Sequence, residues 1–394
     1  MIEQIKKLAH QLKSEVVGYR RHLHTYPELS FQEEKTSAYV ADVLTDIGLP
    51  HTVRFGDTFG VVGLIQGARS TGPVRALRAD MDALPIQEAG EKSYCSRVPG
   101  VMHACGHDVH TASLLGTAQI LWRLRDELSH PVKLIFQPGE EKLPGGASLL
   151  IKAGVLENPP VTSILGQHVH PDLEVGQVGF RGGKFMASCD EIFLTIRGKG
   201  GHGAVPHRTI DPITIASQVI VNLQQVISRK QDAFEPGVLS IGKLYSVGGS
   251  TNVIPNEVKM EGTFRTMNES WRTEAHAWIR QIIDHTVLAY GGSYDLDILV
   301  GYPYLVNDEN LTNQAVRAAK QYLGDSQVVM LPPRMTAEDF SFYSHAVLAC
   351  FYRLGTGNTA RGLQASVHTD SFDVDENCLE VGSGLMAYLA FNNT

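Results

Sequence analysis

The sequence predicts an α/β protein: a mostly parallel sheet flanked by helices, with an inserted α+β unit of ferredoxin-like βαββαβ order. Short apolar strands alternate with helical stretches up to about residue 183. The order then changes to strand–helix–strand–strand–helix–strand, and the alternation resumes beyond residue 300. At 394 residues the chain is also too long for one ordinary core and suits two domains.

Periodicity defines each element. Residues 3–24 and 33–47 place apolar side chains at helical spacing, and Gly48 and Pro50 stop the second helix. Residues 61–65 and 74–79 read as strands. Residues 107–128 form a long helical stretch, apolar at Ala112, Leu115, Ala118, Leu121 and Trp122. Residues 132–136 and 163–166 are short buried strands. Strand 186–197, helix 212–228, strands 238–245 and 258–265, helix 270–290 and strand 293–299 then make the βαββαβ unit. Residues 311–323, 349–354 and 379–391 return to the first pattern as helix, strand and helix. The expected organisation is a discontinuous domain of residues 1–182 and 300–394, interrupted by an inserted domain of residues 183–299.

Composition narrows the function. Lys+Arg 34 against Asp+Glu 42 gives a net charge of −8, with no basic block to follow a phosphate backbone, which argues against nucleic acid. No apolar run approaches the ~20 residues of a membrane span. The N-terminal residues carry charge early and read as helix rather than as an apolar signal segment. Cys95, Cys105, Cys189, Cys350 and Cys378 are odd in number and scattered, as free thiols in a reducing cytoplasm would be.

The chemistry concentrates in His103-Ala-Cys-Gly-His-Asp-Val-His110 and in Glu140-Glu141. Histidine, cysteine and carboxylate are the side chains that bind divalent transition metals, and a spare glutamate beside a ligand can activate water. Cys105 and His107 flank the start of a helix, so both can converge on one ion. His110, one turn later, and His103 are further candidates on spacing alone. Pro138-Gly139 break the strand before Glu140-Glu141, which lets both glutamates turn into a cleft at the carboxyl edge of the sheet. His168 and His170 follow the next strand, and His368 lies far downstream.

Taken together the motifs resemble the M20 metallopeptidase/aminoacylase family, in its N-acyl-amino-acid amidohydrolase branch. The matching residues are Arg20–Ser30, Arg78–Pro85, His103–His110, Gln137–Glu141, Gly200–His207, Thr251–Pro255, Gly262–Arg265, Ala337–Phe340 and Val367–Thr369. The resemblance implies two divalent metal ions per subunit (zinc, manganese, cobalt or nickel) on Cys105, His107, Glu141, His168 and His368. Glu140 would be the general base cleaving the amide of an N-acyl amino acid. His103, His110 and His170 would be supporting residues, with Asp80, Asp82, Glu338 and Asp339 orienting the histidines. It further implies that His202 stabilises the oxyanion in the partner subunit's site, and that Asn252 and Arg265 meet the substrate carboxylate. The inserted domains would pair edge to edge in a homodimer, with Gly182-Gly183 and Gly301 as hinges. Gly139 and Ser366 depart from the usual alanine and leucine. A dipeptidase or carboxypeptidase on the same scaffold is the alternative, and a non-catalytic metal-binding protein the remoter one.

Overall fold

The computed structural model describes residues 1–392, which divide into two compact units. Unit 1 takes in Met1–Phe185, Val306–Pro332 and the chain from Asp339 onward; unit 2 takes in Met186–Leu305 and Pro333–Glu338. Unit 1 opens with α1 (Ile2–Thr25), α2 (Glu34–Ile47), β1 (His51–Thr52), β2 (Val61–Ile65), β3 (Val74–Asp80) and α3 (His107–Arg123). It continues with β4 (Val132–Gln137), α4 (Gly146–Lys152), β5 (Val161–Glu174), β6 (Val178–Phe180) and β7 (Gly183–Met186). Unit 2 holds β8 (Asp190–Arg197), β9 (Gly201–His202), α5 (Pro212–Gln225), β10 (Gly237–Val247), β11 (Val253–Ile254), β12 (Glu257–Thr266), α6 (Glu269–Ala289) and β13 (Ser293–Val300). The chain then adds β14 (Leu305–Asn307), α7 (Glu309–Leu323), β15 (Val328–Met330), α8 (Ser341–Ser344), β16 (Leu348–Gly357) and α9 (Cys378–Phe391).

The sheet of unit 1 has eight strands in the order β1-β2-β4-β3-β5-β16-β6-β15. Its four central strands, β4, β3, β5 and β16, run parallel, while β1, β2 and the β16–β6 pair are antiparallel. Parallel strands need both faces covered, and the sequence supplies this. Leu77 and Ala79 of β3 and Val132, Leu134 and Phe136 of β4 enter one continuous core with α1, α3 and α9. The alternate residues Arg78, Asp80, Ile135 and Gln137 point the other way. That face, at the strands' carboxyl ends, carries the polar side chains.

Unit 2 has its own core. Its four-stranded antiparallel sheet, in the order β10-β12-β8-β13, is covered by α5 and α6. Ile192, Leu194 and Ile196 alternate along β8 toward Ile215, Val219 and Leu223 of α5 and Ala275, Ile279, Ile283 and Val287 of α6. The chain order of these elements is the βαββαβ order read from the sequence.

Three local expectations change. The helix expected over 107–128 stops at Arg123 and passes into a single 3-10 turn at Arg125–Glu127, because Asp126 and Glu127 oppose the negative end of a helix dipole. The helix expected over 212–228 ends at Gln225 and widens into a π turn, Val226–Lys230. The strand expected at 163–166 runs from Val161 to Glu174, so His168 and His170 lie within it rather than after it. Unit 2 also differs from the expected 183–299 segment: it runs from Met186 to Leu305 and takes in Pro333–Glu338, whose Arg334 and Thr336 carbonyls accept the Ala187 amide at 3.2 and 3.0 Å. That join crosses a long stretch of chain and leaves no trace in periodicity.

The Asp308 carboxylate caps α7 by accepting the Leu311 amide at 2.7 Å. Asp308→Ala should therefore lower stability by about 1 kcal/mol, read from the urea midpoint.

Candidate metal centre

The centre begins at the sharp turn into α3. Gly106 holds φ +79 against the Val169 side chain, a left-handed conformation that glycine adopts without strain. This turn sets Cys105 and His107 side by side and fully buries the His107 ring. His107 Nδ1 donates to Asp82 Oδ1 at 3.1 Å, which fixes the tautomer and leaves Nε2 buried with no hydrogen-bond partner. Asp82 is itself held, accepting Ser30 Oγ at 2.6 Å and the Glu141 amide at 2.9 Å.

Three other segments close around Cys105. His168 Nε2 from β5 lies 3.5 Å from the Cys105 sulfur, with its Nδ1 donating to the Val169 carbonyl at 2.8 Å. His368 Nε2 lies 3.3 Å from the same sulfur and 3.2 Å from Glu141 Oε1. His368 takes φ +64, and its amide donates to the Ala104 carbonyl at 2.8 Å. The ligand atoms of Cys105, His107 and His168 lie within 4.8 Å of one another, as do those of Cys105, Glu141 and His368. Those of His107, Glu140 and Glu141 form a third such group. The five expected ligands and Glu140 thus meet in one place, with the thiol shared between two groups.

The remaining histidines sort by their partners. His110 gives Nδ1 to Asp80 Oδ1 at 2.6 Å and accepts the Val169 amide on Nε2 at 2.8 Å, so both ring nitrogens are engaged. His103 is buried with neither nitrogen hydrogen-bonded, and burial pushes its imidazole down to about 4. Asp80 and Asp82 each hold a histidine, whereas the Asp339 carboxylate takes Arg78, Gln137 and the Ala147 amide.

Electrostatics test the fit of a metal. Burial, then Glu141, Glu140 and Asp80, raise the Cys105 thiol well above its ordinary range. Burial lowers His107, but Asp80 and Asp82 outweigh it and raise the ring to about 10. Carboxylates exceed cations here, and the donors are sulfur, imidazole nitrogen and carboxylate oxygen. That donor set fits zinc or a similar divalent ion, which would discharge both the thiol and the imidazole.

The turn that carries the glutamates leans on a loop whose role sequence reading missed. Gly139 has φ +64, and a Cβ there would overlap the Phe31 ring. Glu33 Oε1 accepts the Gly139 amide at 2.7 Å; burial, then Asp82, raise the Glu33 carboxyl to about 8. Two adjacent glutamates at a helix start read as solvated, so no spacing rule identifies Glu33. Arg78 was equally missed, although its position two before Asp80 on a strand signals a shared face.

The other expected residues lie in unit 2. His202 and Val253 are opposite each other in the β9–β11 ribbon, and the Asn252 carbonyl accepts the Gly203 amide at 2.8 Å, so His202 and Asn252 are neighbours. His202 is exposed, its Nδ1 accepting the Ala204 amide at 3.1 Å. Arg265 stands on β12 opposite Val238, with Nη1 donating to the Met335 carbonyl at 3.4 Å.

Gly139→Ala should cost about 2 kcal/mol in urea unfolding, and adding Phe31→Ala should recover part of it by removing the overlap. Simply additive losses would sink this pairing.

Comparison with known proteins agrees with the geometry. The model of peptidase family M20/M25/M40 matches residues 76–392. An N-acyl-L-amino acid amidohydrolase of Geobacillus stearothermophilus is 44% identical over 323 residues, covering 81% of this chain and 86% of that protein. Thermostable carboxypeptidase 1 of Saccharolobus solfataricus is 36% identical over 392 residues, covering 99% and 98%. A Bacillus subtilis crystal structure, described as a dinuclear metal-binding peptidase of the M20 family, superimposes with a TM-score of 0.82 at 36% identity, covering 97% of this chain and 98% of that one. This chain belongs to peptidase family M20/M25/M40 and is a hydrolase of that family.

Proposed function

We propose that the protein is a metal-dependent amidohydrolase that cleaves N-acyl amino acids to a carboxylic acid and a free amino acid. The observation that carries this is the adjacent pair Glu140-Glu141, both reaching His107, with Cys105, His168 and His368 completing a sulfur–nitrogen–oxygen donor set. Cys105, His107, Glu141, His168 and His368 would hold two divalent ions, which when bound polarise a carbonyl and acidify water. Zinc, manganese, cobalt and nickel suit these donors to differing degrees. The Bacillus subtilis structure described as dinuclear supports the count.

Glu140 is the proton carrier. It is buried beside the donor groups, and its Oε1 accepts the Asp339 amide at 3.3 Å, which fixes the carboxylate. In this reading it takes the proton of the attacking water and returns it to the leaving nitrogen, so the amine departs neutral. Asp82 keeps His107 in the tautomer that exposes Nε2. His202 donates to the developing oxyanion, and Arg265 with Asn252 receives the substrate carboxylate, the arginine fork matching its two oxygens.

The assembly proposed is a homodimer through unit 2, whose sheet leaves β10 and β13 as edges with Leu244, Tyr245, Val247, Leu299 and Val300 exposed. His202 would then serve the partner subunit's site. We place the protein in the cytoplasm: all five cysteines are free, and no helix of the described residues is long and apolar enough to cross a membrane.

A second reading, peptide-bond hydrolysis, is favoured by the 36% identity to the carboxypeptidase. Chelator-stripped protein reloaded with each metal and offered N-acyl amino acids and dipeptides separates the two. Preferential release from N-acyl substrates supports the amidohydrolase, and preferential release from dipeptides overturns it. Glu140→Gln should keep metal affinity while turnover falls about a thousandfold. Near wild-type turnover would remove Glu140 from its role. Cys105→Ser should weaken zinc about tenfold or more, read by competition with a chromophoric chelator.

A further inference from the structure

Arg78 lies on β3 with its side chain fully buried. Asp80 shares its face, and the register sets Asp80 opposite Gln137 and Arg78 opposite Gly166, two residues before His168 on β5. Its guanidinium donates in three directions: Nε to Gln137 Oε1 at 2.9 Å, Nη1 to Asp80 Oδ2 at 2.5 Å, and Nη2 to Asp339 Oδ1 at 2.7 Å.

The three acceptors lead to two parts of the centre. Asp80 Oδ1 takes His110 Nδ1, which leaves His110 Nε2 to accept the amide of Val169, the residue after His168. Gln137 ends β4 just before the glutamate turn, and its Nε2 donates to both Asp339 oxygens, at 2.9 and 2.7 Å. The Asp339 amide in turn donates to Glu140 Oε1. One buried cation therefore joins the strand that carries a metal donor to the segment that fixes the general base.

We propose that Arg78 is a positioning residue for both halves of the centre, setting the His168 strand through Asp80 and His110 and the Glu140 carboxylate through Gln137 and Asp339. This rests on the roles given above to His168 and Glu140. Arg78 touches neither substrate nor reacting atoms. An arginine is required because its planar fork serves three acceptors at once, whereas lysine offers a single point charge on a flexible stem. An ion pair that only stabilised the fold would move the unfolding midpoint and nothing else.

Arg78→Lys and Asp339→Asn test this in the full-length protein, with zinc affinity read by chelator competition and kcat and KM read on an N-acyl amino acid. Arg78→Lys should weaken zinc about tenfold to a hundredfold and lower kcat by a similar factor, with KM within about threefold. Asp339→Asn, which neutralises the acceptor shared by Arg78 and Gln137 but leaves the Arg78–Asp80 bond in place, should lower kcat about tenfold and leave zinc affinity within about twofold. A folded Arg78→Lys protein whose zinc affinity and kcat both stay within about twofold of wild type overturns the proposal. If Arg78→Lys does not fold, Asp339→Asn decides it: unchanged kcat overturns the proposal, and reduced kcat with intact zinc binding supports it. Should the wild type release no amino acid with any metal, the proposed function fails instead. The zinc affinity of Arg78→Lys then decides the inference: weakened supports it, unchanged overturns it.

Discussion

Asp80, Asp82 and Glu140 have lost almost all contact with water, yet they crowd a thiol and an imidazole at the carboxyl edge of the sheet. A buried carboxylate left unpaired is costly by several kcal/mol, so the surrounding chain is organised to compensate it. Arg78 lies against Asp80, and His107 against Asp82. Burial, joined by the same crowding, raises the Cys105 thiol well above its ordinary range. In the proposed function a divalent ion would complete this charge balance, with the buried His107 Nε2, which has no hydrogen-bond partner, as one of its donors.

Holding such a cluster requires more than ligands. The segment after α1 supports it from behind: Ser30 bonds Asp82, Glu33 holds the Gly139 amide, and the Phe31 ring fills the space a side chain at 139 would need. Gly139 and Phe31 are thus a matched pair, which accounts physically for glycine at this position. Supporting contacts of this kind fix rotamers that the ligands themselves leave free.

Unit 2 is closed in its own way. Asp190, the first residue of β8, accepts His276 Nε2 at 2.6 Å and the Gly301 amide at 3.1 Å, and it also pairs with Arg272. The Arg272 guanidinium reaches the Gly301 carbonyl at 3.1 Å as well. These bonds tie the start of the unit to its end beside a core drawn only from its own residues. A segment that closes on itself in this way can sit within another domain's sequence without sharing its core.

Much of this was legible in the residues. Helical spacing defined α1, α2, α6, α7 and α9 to within a few residues, and strand order gave the βαββαβ sequence of unit 2. The Cys105–His107 spacing at a helix start and the Pro-Gly break before Glu140 pointed to one cleft, because these are constraints within single elements. The M20 resemblance implied His168 rather than His170, and Cys105 and His107 rather than His103 and His110, as ligands, and that assignment is part of the proposed function. Tertiary structure alone decided that Glu33 is buried, that Arg78 joins Asp80 to Asp339, and that Pro333–Glu338 belongs with unit 2. The reason is one of range: periodicity fixes how side chains are disposed along one element, whereas convergence from distant segments depends on how the elements pack.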